Sequence, residues 1–256
     1  MTDVKTHARI GALILPVLLA ACGTMPHPQS ANQEAAGFNV QLGLGYMQEG
    51  NLQLAKEKLE RAQSEAPHDP KVHSAEGLLY ERLGDAKRAD EEYRTALRYA
   101  PKDPDVANNY AVFLCKQNRT EEGVKYFIEA AQNPFYRTPE AAYTNAGVCL
   151  RAAHRDDDAK QSLQKALAIK ANFAEAAYQL ADLEFESGHL VAARAALTHY
   201  TDNYEATPDL LLLGVRIARA QGDRIGAEHY ARSLRMDFPT SEQTRALSDL
   251  NQHPGS

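Results

Sequence analysis

Apolar residues recur over residues 77–104 with the spacing of two short amphipathic helices. Around Tyr93, alanine and leucine return every three or four residues, so they share one face of the second helix. Gly84 lies between the two helices, where glycine accepts the positive φ that a tight reversal needs. Pro101 and Pro104 are expected to stop the second helix, because proline lacks an N–H and clashes with the preceding turn. The stretch therefore predicts a helical hairpin whose apolar face needs neighbouring hairpins to cover it.

The same pattern occurs six times along the chain. The reversal positions are separated by 34, 34, 36, 34 and 34 residues. A small residue follows each reversal, and a leucine or aromatic residue follows that one in the first five units. The reversals fall at Gly50, Gly84, Asn118, His154, Gly188 and Gly222. A fixed period over six units predicts an all-α superhelical solenoid, since an ordinary helix bundle keeps no such period.

The glycine, tyrosine, alanine and proline positions of residues 77–104 resemble those of the tetratricopeptide (TPR) repeat. This resemblance implies six helix-turn-helix repeats over residues 36–256. Thr240 and Gln243 resemble a capping box. We expect them to start a short C-terminal helix that reaches about Leu250 and covers the last repeat with Leu247.

The TPR resemblance also implies that the first helix of each repeat lines a concave surface. The ninth position of each repeat is expected to face it: Leu44, Leu78, Val112, Val148, Asp182 and Arg216. Four apolar residues followed by two charged ones favour an apolar groove at the N-terminal end, suited to a helix or an extended peptide. The alternative is that these residues are partly covered packing residues.

The N-terminal residues predict a signal segment rather than part of the fold. Lys5 and Arg9 precede a short apolar run, residues 10–19, and small residues then lead to Cys22. Leu-Ala-Ala-Cys followed by Gly23 resembles the lipobox of bacterial lipoproteins. That resemblance implies a signal peptide over residues 1–21, lipidation of Cys22, a flexible tether over residues 22–35, and the periplasmic face of the outer membrane. A plain secretory signal with an incidental cysteine is the alternative.

Composition and side-chain spacing argue against several classes of function. The chain carries a net charge of −6 and no basic stripe, so we expect no nucleic-acid partner. The three aspartates at 156–158 lack the spacing of a calcium loop and suit the first turn of a helix. The nine histidines show no pair at ligand spacing, and no catalytic arrangement can be assembled. We therefore expect no enzyme activity, metal, cofactor or small-molecule substrate.

Three segments near the middle of the chain resemble one particular family. They are residues 108–115 (NNYAVFLC), 133–139 (NPFYRTP) and 145–149 (NAGVC). They are similar to the type IV pilus biogenesis lipoproteins of the PilF/PilW family, which are six-repeat pilotins.

The family resemblance implies a pilotin that binds the pilus secretin and promotes its outer-membrane localisation and multimerisation. We add its motif residues Asn108, Asn109 and Asn145 to the expected partner-binding groove. A TPR scaffold for β-barrel assembly or for cell-wall enzymes is the alternative function. The two-residue insertion before repeat four either presents Phe135 and Tyr136 to a partner or is a neutral surface feature.

Two cysteines remain if Cys22 is lipidated. Cys115 and Cys149 lie in the first helices of repeats three and four, which a solenoid stacks side by side. An oxidising compartment favours a disulfide between them. The competing interpretation is a pair of buried free thiols.

Overall fold

A computed structural model describes the backbone of residues 28–252 and the side chains of residues 31–247. This part of the chain forms α-helices and contains no strand, which confirms the all-α solenoid. The first helices of the six repeats are α1 (Pro28–Gln48), α3 (Pro70–Arg82), α5 (Pro104–Lys116), α7 (Pro139–Ala152), α9 (Ala174–Glu186) and α11 (Pro208–Ala220). The second helices are α2 (Leu52–Glu65), α4 (Ala86–Tyr99), α6 (Thr120–Ala131), α8 (Asp156–Ile169), α10 (Leu190–Thr201) and α12 (Arg224–Asp237), and α13 (Glu242–Gln252) ends the stack.

The six reversals lie where the sequence pattern predicts them. Gly50, Gly84, Gly188 and Gly222 have φ between 73° and 77°. Asn118 and His154 take the same backbone conformation with φ of 59° and 58°, although neither is a glycine. These two turns therefore carry a steric cost that the glycine turns avoid.

The core runs as a row of clusters between successive hairpins. The small residue of each second helix is buried, and so is the larger residue four positions on, represented by Leu59, Tyr93, Phe127 and Leu163. Each first helix packs against the second helix of its own repeat. The first five also pack against the first helix of the next repeat, and α11 packs against α13. Burial of these side chains, at about 25 cal/mol per Å² of apolar surface, is what holds the stack together.

Two helix boundaries differ from the sequence predictions, and both involve proline. Helix α1 begins at Pro28, inside the segment predicted to be a flexible tether. Pro104 does not stop α4, which ends at Tyr99. It is the first residue of α5, where its missing N–H costs nothing and Asp103 caps the helix. The predicted signal peptide, Cys22 and the start of the tether lie outside the described residues.

The C-terminal helix α13 covers the last repeat as predicted, but its cap differs. Ser241 Oγ, rather than Thr240, accepts the backbone N–H of Thr244 at 3.1 Å. Leu247 is buried against Leu234 and Val215. The side chain of Leu250 lies outside the described part. None of the helices described is both long and apolar enough to cross a membrane.

Candidate functional site

The first helices of repeats one to three enclose a groove of about 320 Å³. Leu44 on α1, Leu78 on α3 and Val112 on α5 all line it. Each is half-buried, so part of its apolar surface faces the groove and remains open to solvent. The structure thus brings three of the predicted ninth-position residues together, and we call this site the apolar groove.

Polar and charged side chains border the apolar groove. Asn109 lines it and donates from Nδ2 to Ser74 Oγ at 3.3 Å. Lys116 pairs with Glu81 across α5 and α3 at the same border. An apolar floor with a few polar groups at its edge is the usual composition of a ligand-binding pocket.

Sequence reasoning missed four apolar residues that line this groove: Val40, Ala75, Tyr93 and Val106. Val40 lies one turn before Leu44 on α1. Residues four apart share a helix face, so the spacing of Val40 and Leu44 carries a signal that the ninth-position rule leaves out.

Val148, Asn108 and Asn145, also predicted for the groove, do not line it. Val148 on α7 is 40 % exposed and lies beyond the point where the cavity ends at α5. Asn145 donates from Nδ2 to Asn108 Oδ1 at 3.2 Å, which joins α7 to α5. The two asparagines therefore make a contact between repeats three and four.

In repeats five and six, the ninth-position residues belong to an ion-pair network. Asp182 is buried and accepts from Arg151 Nη2 at 2.8 Å, while Arg216 Nη1 lies 3.5 Å from its other oxygen. Arg216 also pairs with Glu186 at 2.8 Å and stacks over the ring of Phe185. We call Arg151, Asp182, Glu186 and Arg216 the charged network. Each of these charged side chains is paired with another member of the network.

A disulfide joins Cys115 on α5 to Cys149 on α7, with their α-carbons 5.7 Å apart. This distance is ordinary for a disulfide, so the different repeat positions of the two residues do not prevent the bond. Gly123 on α6 faces it. A Cβ added there would collide with Cys115 Sγ and press on Ala111 O. The bridge therefore explains why repeat three has glycine where the other five have alanine.

The inserted turn separates its two aromatic residues. Phe135 is 88 % exposed, whereas Tyr136 is half-buried among Ala107, Ala130 and Ala142. Asn133 shapes the turn by accepting the backbone N–H of Phe135 at 2.9 Å. Phe135 is thus held outward by a specific turn, while Tyr136 fills space between repeats.

Comparisons with known proteins first define the class. A tetratricopeptide repeat family model matches residues 46–108. The helical hairpins and their order agree with that match over the whole described chain. The protein is a TPR solenoid.

The particular family follows from longer matches. The chain is 33 % identical over 208 residues to the type IV pilus assembly protein PilF of Pseudomonas aeruginosa, covering 81 % of this chain and 82 % of that protein. A solved structure of P. aeruginosa PilF matches with a TM-score of 0.65 at 31 % identity, over 86 % of this chain and 99 % of the other. A crystal structure of PilW, described as a widely conserved type IV pilus biogenesis factor, matches with a TM-score of 0.66 at 30 % identity, over 83 % and 97 %. The chain belongs to the PilF/PilW family of type IV pilus TPR proteins.

Proposed function

We propose that this protein is a pilotin: it binds the type IV pilus secretin and promotes its outer-membrane localisation and multimerisation. The observation that carries the proposal is the apolar groove, present in a chain of a pilus assembly family. Leu44, Leu78 and Val112 keep apolar surface in contact with water, and this surface is complementary to an apolar helix or an extended segment.

The proposed action is non-enzymatic. The groove offers shape and apolar contact, and Asn109 and Ser74 offer hydrogen bonds to a peptide backbone at its border. A secretin subunit bound there would be held near its site of assembly, so binding alone accounts for the effect on multimers.

The proposal includes a lipid anchor at Cys22 on the periplasmic face of the outer membrane. The lipobox-like residues Leu19–Cys22 and the following Gly23 support it. Several acyl chains on one residue anchor a protein stably, since each buried methylene contributes about 0.8 kcal/mol.

A complementation experiment tests the groove. In a strain lacking this gene, wild-type protein should restore secretin multimers, and the Leu44→Glu/Leu78→Glu variant should restore few. Glutamate would place charge on the apolar floor, for an expected loss of at least about tenfold in secretin binding by the purified protein. Val191→Glu is the matched control, because Val191 is 81 % exposed and lies outside the groove.

Membrane fractionation in the same strain tests the anchor. The Cys22→Ser variant should be lost from the outer-membrane fraction while its helical circular dichroism stays unchanged.

Full secretin multimers with the groove variant would remove the groove from the mechanism. Normal multimers in the deletion strain, with defective barrel assembly, would favour the alternative scaffold for β-barrel insertion.

A further inference from the structure

We propose that the helical hairpin of repeat two holds a divalent metal ion of the zinc class between His73, Glu76 and Glu92. His73 and Glu76 lie on α3, and Glu92 lies on α4. One ligand atom from each residue lies within 4.8 Å of the other two. The site is separate from the apolar groove and has no part in the function proposed above.

Glu76 is the first observation in support. Its side chain is 5 % exposed, and its Oε2 is buried without a hydrogen-bond partner. This atom is 3.8 Å from His73 Nδ1. A buried carboxylate oxygen without a hydrogen-bond partner destabilises the folded protein. We therefore expect a further group to contact this atom.

The orientation of His73 is the second observation. Its Nε2 lies 2.9 Å from the carbonyl oxygen of Pro67, which can only accept, so Nε2 carries the hydrogen. Its Nδ1 then points at Glu92 Oε2, 2.7 Å away. A histidine that donates one N–H to a backbone carbonyl while the other nitrogen faces carboxylates has the arrangement typical of a metal ligand.

The ion-pair partners of other buried carboxylates in this fold differ from those of Glu76 and Glu92. Among the described residues, Glu140, Asp182 and Glu184 are also buried, and each pairs with a lysine or arginine. Within that same part of the chain, Glu76 and Glu92 have no lysine or arginine partner. The two carboxylates therefore share a single imidazole, where each of their counterparts has a lysine or arginine of its own.

The donor set indicates the kind of ion. One imidazole nitrogen with two carboxylate oxygens suits zinc and its first-row neighbours, whereas calcium and magnesium prefer oxygen alone. Ligand atoms about 2.1 Å from a tetrahedral ion lie about 3.4 Å apart, between the two distances measured from His73 Nδ1. Glu92 is partly exposed, which leaves a route for the ion and for water as a further ligand.

Metal analysis of the full-length, untagged protein tests the site. The protein is extracted in detergent, stripped with a chelator, dialysed against zinc chloride and analysed by mass spectrometry for zinc. Wild-type protein should bind one ion more than Glu76→Gln, because the amide cannot replace a carboxylate ligand. Glu184→Gln is the matched control at a buried glutamate with its own cations, and it should bind as much zinc as wild type. Equal zinc in wild type and Glu76→Gln overturns the proposal and leaves a proton-sharing cluster.

A second measurement does not depend on the folding of any variant. Wild-type crystals soaked in zinc should show an anomalous peak between His73 Nδ1 and Glu76 Oε2. Anomalous peaks confined to other histidines, or no peak at all, contradict the proposal. Calcium in place of zinc should leave the site empty.

Discussion

The surfaces made by the first helices of repeats one to three and of repeats five and six use the same repeat position in opposite ways. In the first region, Leu44, Leu78 and Val112 meet in a groove and keep part of their apolar surface in water. In the second region, Asp182 and Arg216 occupy that position and pair with each other. The backbone repeats, but the side-chain chemistry does not.

The difference separates a surface that awaits a partner from one that is already satisfied. Apolar surface that remains in contact with water lowers the free energy only when another molecule covers it. The charged network gains little from a partner, because Arg151 and Glu186 already pair with Asp182 and Arg216. The first region is therefore where binding energy is available, and the second contributes mainly to the stability of the stack.

The largest expected effect comes from cutting the disulfide that joins the first region to repeat four. Cys115 and Cys149 are 34 residues apart in sequence, and closing a loop of that size contributes about 3–4 kcal/mol in the chain-entropy model. Cys115→Ser/Cys149→Ser should therefore lower the free energy of unfolding by about that amount. Thermal and urea unfolding of oxidised wild type and the variant measure it.

Reduced wild-type protein is the control for that experiment, and it should unfold like the double variant. Alkylation before and after reduction, read by mass spectrometry, reports the bond directly. Two thiols that react with the alkylating agent in denatured, unreduced protein would show that no bond formed.

A smaller effect is expected from the ion pairs, and it should differ between the regions. Arg151→Met leaves buried Asp182 with only the longer contact to Arg216, so we expect a loss of about 1–3 kcal/mol. Lys87→Met removes an ion pair in repeat two whose side chains are 87 % and 61 % exposed, and this should cost less than about 1 kcal/mol. Urea unfolding of both variants measures the contrast, and equal losses would mean that the charged network has no special structural role.

The smallest effect on stability is expected at Phe135, in the insertion that lies between the regions. Phe135→Ala should change the free energy of unfolding by less than about 0.5 kcal/mol, because the ring is almost fully exposed. Tyr136→Ala should cost about 1–3 kcal/mol, since its ring packs between repeats. If Phe135→Ala also weakens secretin binding, the insertion belongs to the interface; unchanged binding makes it a neutral surface feature.

The repeat architecture could be predicted because it depends on local rules. A reversal every 34 or 36 residues and a small residue at a fixed distance from it are visible in the sequence. The spacing also predicts the reversal at His154, although glycine is the residue that most readily adopts a positive φ.

The early start of α1 was missed because the composition of residues 23–35 resembles a linker. Proline at the first helical position favours a helix start, because its missing N–H would have no intrahelical partner there in any case. A single residue type thus has opposite meanings at the two ends of a helix.

The cluster of His73, Glu76 and Glu92 could not be predicted, because it depends on packing between two helices. His73 and Glu76 are three residues apart, but Glu92 comes from the second helix of the hairpin. Val148 fits the ninth-position rule and still lies outside the groove. Neither the reach of a cavity nor a contact across helices can be read from a repeat period alone.

The disulfide has a mechanical consequence for the protein as a whole. A row of repeats loses structure from its ends inward, because an end repeat is supported on one side only. The bond between α5 and α7 ties the third and fourth repeats together at the middle of this row. When local unfolding begins at α13 or at α1 and spreads towards the centre, repeats three and four therefore stay linked. The unfolded hairpins can then refold against this linked pair.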